Sequence, residues 1–184
     1  MKLIKIANTV IAYHGTPNQF DQFDLNLTGK GNDQEGPGIY FTSNKEQALG
    51  YGDRVIEAKL HLNNVVSMSG KINEDHIRKL VLQSLGLSDE SELDEMEDDD
   101  FWESNLTNWG GSPYSAYENV VDSTLRYNHT PHEAFQAVWY ECYRHNAGDY
   151  LRNMIELGYD GVVIPTAEAT HYVVFSPNAI EVIG

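Results

Sequence analysis

The sequence predicts an α+β fold, and three observations carry that prediction. The chain opens and closes in short stretches where apolar residues alternate as in strands, and its middle carries apolar residues at helical spacing. No segment repeats elsewhere in the chain. Strands, then helices, then strands is the order of an α+β fold, whereas a doubly wound parallel sheet interleaves the two. At 184 residues the chain fits one domain, with a core over residues 1–69 and 158–184 and a helical insertion over 70–157. A domain of this size buries roughly 70% of the surface its unfolded chain exposes, so neither a metal nor disulfides are needed for folding.

The first third is strand-rich. Apolar stretches at 3–6 and 10–14 precede the turn-forming Gly15-Thr16-Pro17-Asn18. Residues 28–38 are polar and glycine-rich, composed for close approach of backbone to a ligand. Residues 39–42 read as a strand, and Ser43 with Glu46 has capping-box spacing for a short helix reaching about Tyr51. Residues 54–62 alternate as a strand, and 65–68 extend the sheet.

The middle reads as helices. Ile77, Leu80 and Val81 mark one apolar face; Tyr117, Val120 and Val121 mark another. Thr130-Pro131 is an N-cap followed by proline at the first helical position, opening a helix with Phe135, Val138, Trp139 and Cys142 on one side. Tyr150, Leu151 and Met154 form the last helix, which Gly158 ends. Strands return at 161–164, 172–175 and 179–183.

Composition narrows the functions. The formal net charge of −16 argues against a nucleic-acid surface, which needs clustered Lys and Arg. Nine of the 28 acidic residues fall within residues 89–100, a run expected to be a solvated loop or helix face interrupting the helical block, or an edge that docks a basic partner. Cys142, the single cysteine, lies between Tyr140 and Tyr143 and reads as a buried thiol. No run is long and apolar enough for a membrane span, and the first residues lack a signal-peptide core, so a cytoplasmic site of action is expected. The seven histidines are scattered without ligand spacing, so no metal is expected.

Three segments carry chemistry together: Tyr13-His14-Gly15-Thr16; Gly38-Ile39-Tyr40-Phe41-Thr42, with Ala48 and Tyr51 following; and the segment 171–180, which begins His171-Tyr172-Val173-Val174-Phe175. Together they resemble an NAD-binding core; NAD is cleaved between nicotinamide and ribose through a transition state of oxocarbenium character, so such a site must grip the carboxamide, hold the ring and stabilise positive charge. Gly15 leaves its backbone N–H and C=O open to the carboxamide. His14 can bond ribose hydroxyls, Thr16 offers a second hydroxyl at the adenosine ribose, and Tyr40 and Tyr51 supply aromatic faces for nicotinamide.

In this order the three segments resemble the NAD-binding core of ADP-ribosyltransferases of the diphtheria-toxin and poly(ADP-ribose) polymerase type, and most closely the small domains of phage and bacterial polyvalent proteins. The resemblance covers residues 12–62 and 158–182. It implies a split β-sheet core, NAD as substrate, and donor-binding roles for His14, Gly15, Thr16, Gly38, Tyr40 and Tyr51. Of these, His14 and Tyr40 also count with the catalytic residues.

The family's third signature residue, a glutamate, is replaced here by His171. A neutral imidazole can accept from a hydroxyl or take an acceptor's proton, but it supplies no negative charge opposite the oxocarbenium. Glu168, three residues earlier, joins the site only if its loop folds back. The resemblance therefore implies transfer of one ADP-ribose from NAD to a macromolecule, a host or cellular protein, by a phage or bacterial effector. NAD hydrolysis and a silent NAD- or protein-binding member are the alternatives. An RNA 2′-phosphotransferase, of related fold, needs more arginines than this chain has. The insertion is the candidate for target recognition, with Trp102 and Trp109 as anchors.

Overall fold

A computed structural model describes residues 8–20, 22–28, 34–144 and 146–183. The strand expected at 3–6 and residues 29–33 of the polar stretch lie outside them. The chain divides into two units, residues 1–67 with 158–184, and residues 68–157.

Among the described residues the first unit has seven strands: β1 (Asn8–Thr16), β2 (Ile39–Thr42), β3 (Arg54–Leu62), β4 (Val65–Ser67), β5 (Gly161–Pro165), β6 (Thr170–Val174) and β7 (Ile180–Val182). Their order across the sheet is β4-β5-β6-β2-β1-β3-β7. β4 and β5 run parallel, and every other neighbouring pair is antiparallel. The alternation expected in β3 is present, with Ala58, Leu60 and Leu62 buried. They join Ala12, Ile39, Phe41 and Val174 in one apolar cluster, onto which Phe23, Leu25 and Ile180 pack. Because side chains alternate along a strand, the opposite face of β2 and β6 carries Tyr40, Thr42, His171 and Val173. The register pairs Tyr40 with Val173 and Thr42 with His171.

β1 and β2 share a single matched pair, Tyr13 with Thr42, whereas β1 pairs with β3 along nine residues. The sheet is therefore two well-paired parts, β4-β5-β6-β2 and β1-β3-β7, joined at one rung.

The short helix after β2, α1 (Lys45–Leu49), is capped differently from the expectation. Asn44 is the cap, its side chain accepting from the backbone N–H of Glu46 and Gln47. Ser43 is used elsewhere: its backbone N–H donates to the Thr170 carbonyl and its hydroxyl accepts from the Thr170 N–H, both at 2.9 Å. An Asn one residue later competes for the same orphan amides, and Ser43 bonds Thr170 just past the last β2–β6 pair, Thr42 with His171.

The second unit holds α2 (Glu74–Ser84), α3 (Asp98–Glu103), α4 (Pro113–Tyr127), α5 (Pro131–Cys142) and α6 (Ala147–Glu156). α2 packs on α4, α5 and α6. Thr130 caps α5 in a reciprocal box with Glu133, ahead of Pro131, as its sequence predicts. Phe135, Val138, Trp139 and Cys142 are all buried, and burial pushes the Cys142 thiol up to about 12. The acidic run is more ordered than an interruption: it contains a 3-10 turn at Glu90–Asp94 and leads into α3. Leu93 and Phe101 are buried anchors that hold these turns while the carboxylates around them stay solvated. Arg78 of α2 donates to Glu74 and to Glu118 of α4 and pairs at 3.6 Å with Glu90 at the start of the run, which also accepts from the Tyr117 hydroxyl of α4 at 2.5 Å. Among the described residues no helix is long and apolar enough to cross a membrane.

Asp160 secures the entry to β5. Its carboxylate accepts from the N–H groups of Asn63 and Asn64 at 2.7 and 2.9 Å, and its own N–H donates to the Asn64 carbonyl. Asp160→Ala is expected to cost about 1–2 kcal/mol, read as a lower urea midpoint with an unchanged slope.

Candidate active site

A cavity of about 340 Å³ opens in the first unit, lined by Tyr13, His14, Gly15, Tyr40, Phe41, Thr42, Gln47, Ala48, Tyr51 and His171. It lies where β1 and β2 part. Beyond the Tyr13–Thr42 rung, a side chain takes over from the backbone ladder: His14 Nδ1 lies 2.7 Å from the Tyr40 carbonyl. A carbonyl only accepts, so Nδ1 carries the proton and a neutral ring keeps its lone pair on Nε2. The ring is enclosed by Phe20, Phe23 and Phe41, with centroids 6.1, 5.1 and 5.5 Å away. Burial lowers its proton affinity, and the bond to Tyr40 opposes this only in part. The structure thus presents His14 as a neutral imidazole of fixed tautomer.

α1 crosses close over β1. A Cβ on Gly15 would stand 1.7 Å from the Ala48 carbonyl oxygen, so only glycine permits this approach. Ala48 is fully buried against it, while Leu49 on the outer side is half exposed. The same rotation aims Gln47 at the sheet. Its Oε1 accepts from the Thr42 hydroxyl at 2.5 Å and lies 3.2 Å from His171 Nε2. Gly38, at φ +150°, sits under Val173 and starts β2 close against β6.

His14, Gly15, Tyr40, Tyr51 and His171, each singled out from sequence, line this one cavity. Tyr51 is 67% exposed at its edge. Tyr40 presents its ring, while its hydroxyl donates to the Gly36 carbonyl at 2.6 Å and accepts from the Glu35 N–H, tying down residues 35 and 36. Thr16, Gly38 and Glu168 are not lining residues. The Thr16 hydroxyl accepts from the Asn18 N–H in the turn after β1. Glu168 is exposed in the turn between β5 and β6, and its N–H donates to Thr166 Oγ1. Among the described residues the cavity lining contains no carboxylate. Tyr13 and Thr42 stand in the segments singled out from sequence but were given no role there, and Gln47 was not singled out at all. Thr42 was within reach, since it shares a strand face with Tyr40; Gln47 needed the register of a helix whose cap was misplaced by one residue. Among the described residues no group of His, Cys, Asp or Glu is arranged to hold a metal.

The profile of a family described as "ADP-Ribosyltransferase in polyvalent proteins" matches residues 8–183, almost the entire chain. The chain belongs to this family. Its α+β architecture, with a sheet parted at the cavity, is that of an ADP-ribosyltransferase-like domain, and ADP-ribosyltransferases take NAD as their donor. No curated protein matches significantly. One solved structure, described as "Crystal structure of an anti-CRISPR protein", is similar at a TM-score of 0.43 and 12% identity, covering 95% of this chain and 96% of that one; a likeness at that level says nothing of what this domain does.

Two outcomes follow for this ADP-ribosyltransferase-like domain. Gly15→Ala forces α1 away from β1 and is expected to cost about 1–3 kcal/mol, as overpacking does, read by chemical denaturation. Burial lowers the folded-state pKa of His14, so as pH falls the unfolded chain takes up the extra proton first. The stability tied to His14 is therefore full above the ordinary imidazole value of about 6.5 and is lost as pH drops below it. Between neutral pH and about pH 5, wild type should lose more stability than His14→Gln, which keeps a donor for Tyr40 without titrating.

Proposed function

We propose that this domain transfers one ADP-ribose unit from NAD to a protein acceptor. The observation that supports this most is the meeting of His14, Gly15, Tyr40, Tyr51 and His171, from four separate chain segments, around one cavity. In this reading the Gly15 backbone bonds the carboxamide, and Tyr40 and Tyr51 hold the nicotinamide ring. Neutral His14 accepts from a ribose hydroxyl through Nε2, its orientation fixed beforehand by Tyr40. Preorganised partners of this kind cost no reorganisation when the glycosidic bond lengthens.

His171 occupies the position where the resemblance expects glutamate. A histidine in that place supplies no negative charge opposite the oxocarbenium, and a single transfer is the simpler outcome. We take the domain to be a phage or bacterial effector acting in the cytoplasm, with the helical unit selecting the acceptor. Its acidic surface favours a target of neutral or basic character.

The test is incubation of the protein with NAD labelled on the adenosine side and cell lysate, followed by mass spectrometry of modified proteins. Label on one or a few proteins, each carrying a single unit, supports the proposal. Free ADP-ribose without labelled protein would instead make the domain an NAD hydrolase, and bound NAD with no nicotinamide release would make it a silent member. His14→Ala should lower transfer on the order of 10²-fold. Tyr51→Ala, on an exposed ring, should act on KM for NAD by about tenfold.

A further inference from the structure

Gln47 is a cavity residue that the proposed chemistry does not yet use, and its bonds fix more than its own place. The Thr42 hydroxyl accepts from the Asn44 N–H at 3.2 Å, and its own proton goes to Gln47 Oε1. The structure places the amide oxygen of Gln47, not its nitrogen, toward both Thr42 and His171. An oxygen cannot donate, so His171 Nε2, 3.2 Å away, must carry the hydrogen. A neutral ring with hydrogen on Nε2 has its lone pair on Nδ1. The arrangement is braced on both sides: Thr42 is 5% exposed, and Thr42 and His171 are opposite one another in the β2–β6 ladder. Asn44 fixes the rotation of α1 by accepting from the Gln47 N–H.

We propose that Gln47 is a positioning residue that holds His171 in the Nε2–H tautomer, leaving Nδ1 as the base that takes the acceptor's proton. The inference rests on the transfer reading above and deepens it by naming an acceptor class: a neutral group bearing O–H, N–H or S–H. The acceptor atom forms a bond to the ribose carbon that held nicotinamide. The old glycosidic bond breaks with its electron pair leaving on nicotinamide, which departs neutral. The acceptor's proton passes to His171 Nδ1 and from there to water. A carboxylate acceptor has no proton to give and would draw nothing from this arrangement.

The full-length protein labelled with ¹⁵N tests this by imidazole nitrogen shifts, with His171 assigned by loss of its signals in His171→Gln. Wild type should show a protonated Nε2 and a bare Nδ1. Gln47→Leu should give a ring averaged between tautomers, and Gln47→Glu, whose carboxylate also accepts from Nε2–H, should keep the wild-type tautomer. In turnover, Gln47→Leu should lower kcat for transfer about tenfold or more with KM for NAD unchanged, and Gln47→Glu should restore most of it. An averaged or Nδ1–H ring in wild type, a tautomer unmoved in Gln47→Leu, or a loss confined to KM overturns the proposal, as does a modified residue that proves to be Asp or Glu. Wild type that releases no nicotinamide overturns the transfer reading and the proton step with it. The nitrogen shifts still decide separately whether Gln47 holds the ring.

Discussion

The bond from His14 Nδ1 to the Tyr40 carbonyl holds the site together at the place where the sheet stops being a sheet. β1 and β2 meet at one rung, and a continued ladder would close the space the cavity occupies. An open seam between strands leaves backbone groups wanting partners, and such groups are costly to bury unpaired. Here one of them is answered by an imidazole, and the ring that answers it is oriented by doing so. The enclosing Phe20, Phe23 and Phe41 belong to the same solution, since they exclude water from the bond and lower the ring's affinity for a proton.

A second constraint sets the other wall. Gly15 lets α1 lie directly on β1, and Ala48 seals that approach. A helix of five residues has little stability of its own; this one is held by its Asn44 cap, its contact with Gly15 and the bonds of Gln47 to Thr42 and His171. The wall and the chemistry therefore depend on one another. Moving the helix misplaces Gln47, and losing Gln47 removes a tie between helix and sheet.

Much of this was legible in the sequence because its physical cause is local. Alternation in 54–62 gave β3, and Thr130-Pro131 announced α5 with its cap. Tyr40 and His171 could be placed together because motifs in order along the chain imply strands brought side by side, and both line the one cavity. What escaped depended on pairings between distant segments. Ser43 looked like a helix cap until β6 supplied Thr170 as a partner for it. The acidic run read as a solvated loop or helix face, and what its sequence did not show is that Leu93 and Phe101 anchor its turns. Gln47 carries no motif at all; its importance exists only once Thr42 and His171 are neighbours.

The parallel pairing of β4 with β5 has a consequence for how the protein is made. Parallel neighbours cannot be joined by a tight turn and need a crossover, and here the crossover is the helical unit in its entirety. Matching Val65 to Gly161 thus means closing a loop that contains some half of the chain. The entropy of such closure grows only slowly with length, but contacts so far apart in sequence form late, while helices assemble from near neighbours. During synthesis Ser67 emerges well before its partner strand exists, leaving one edge of the growing sheet uncovered until the last strands arrive. That interval, rather than any weakness in the finished fold, is when this chain is most exposed to wrong partners.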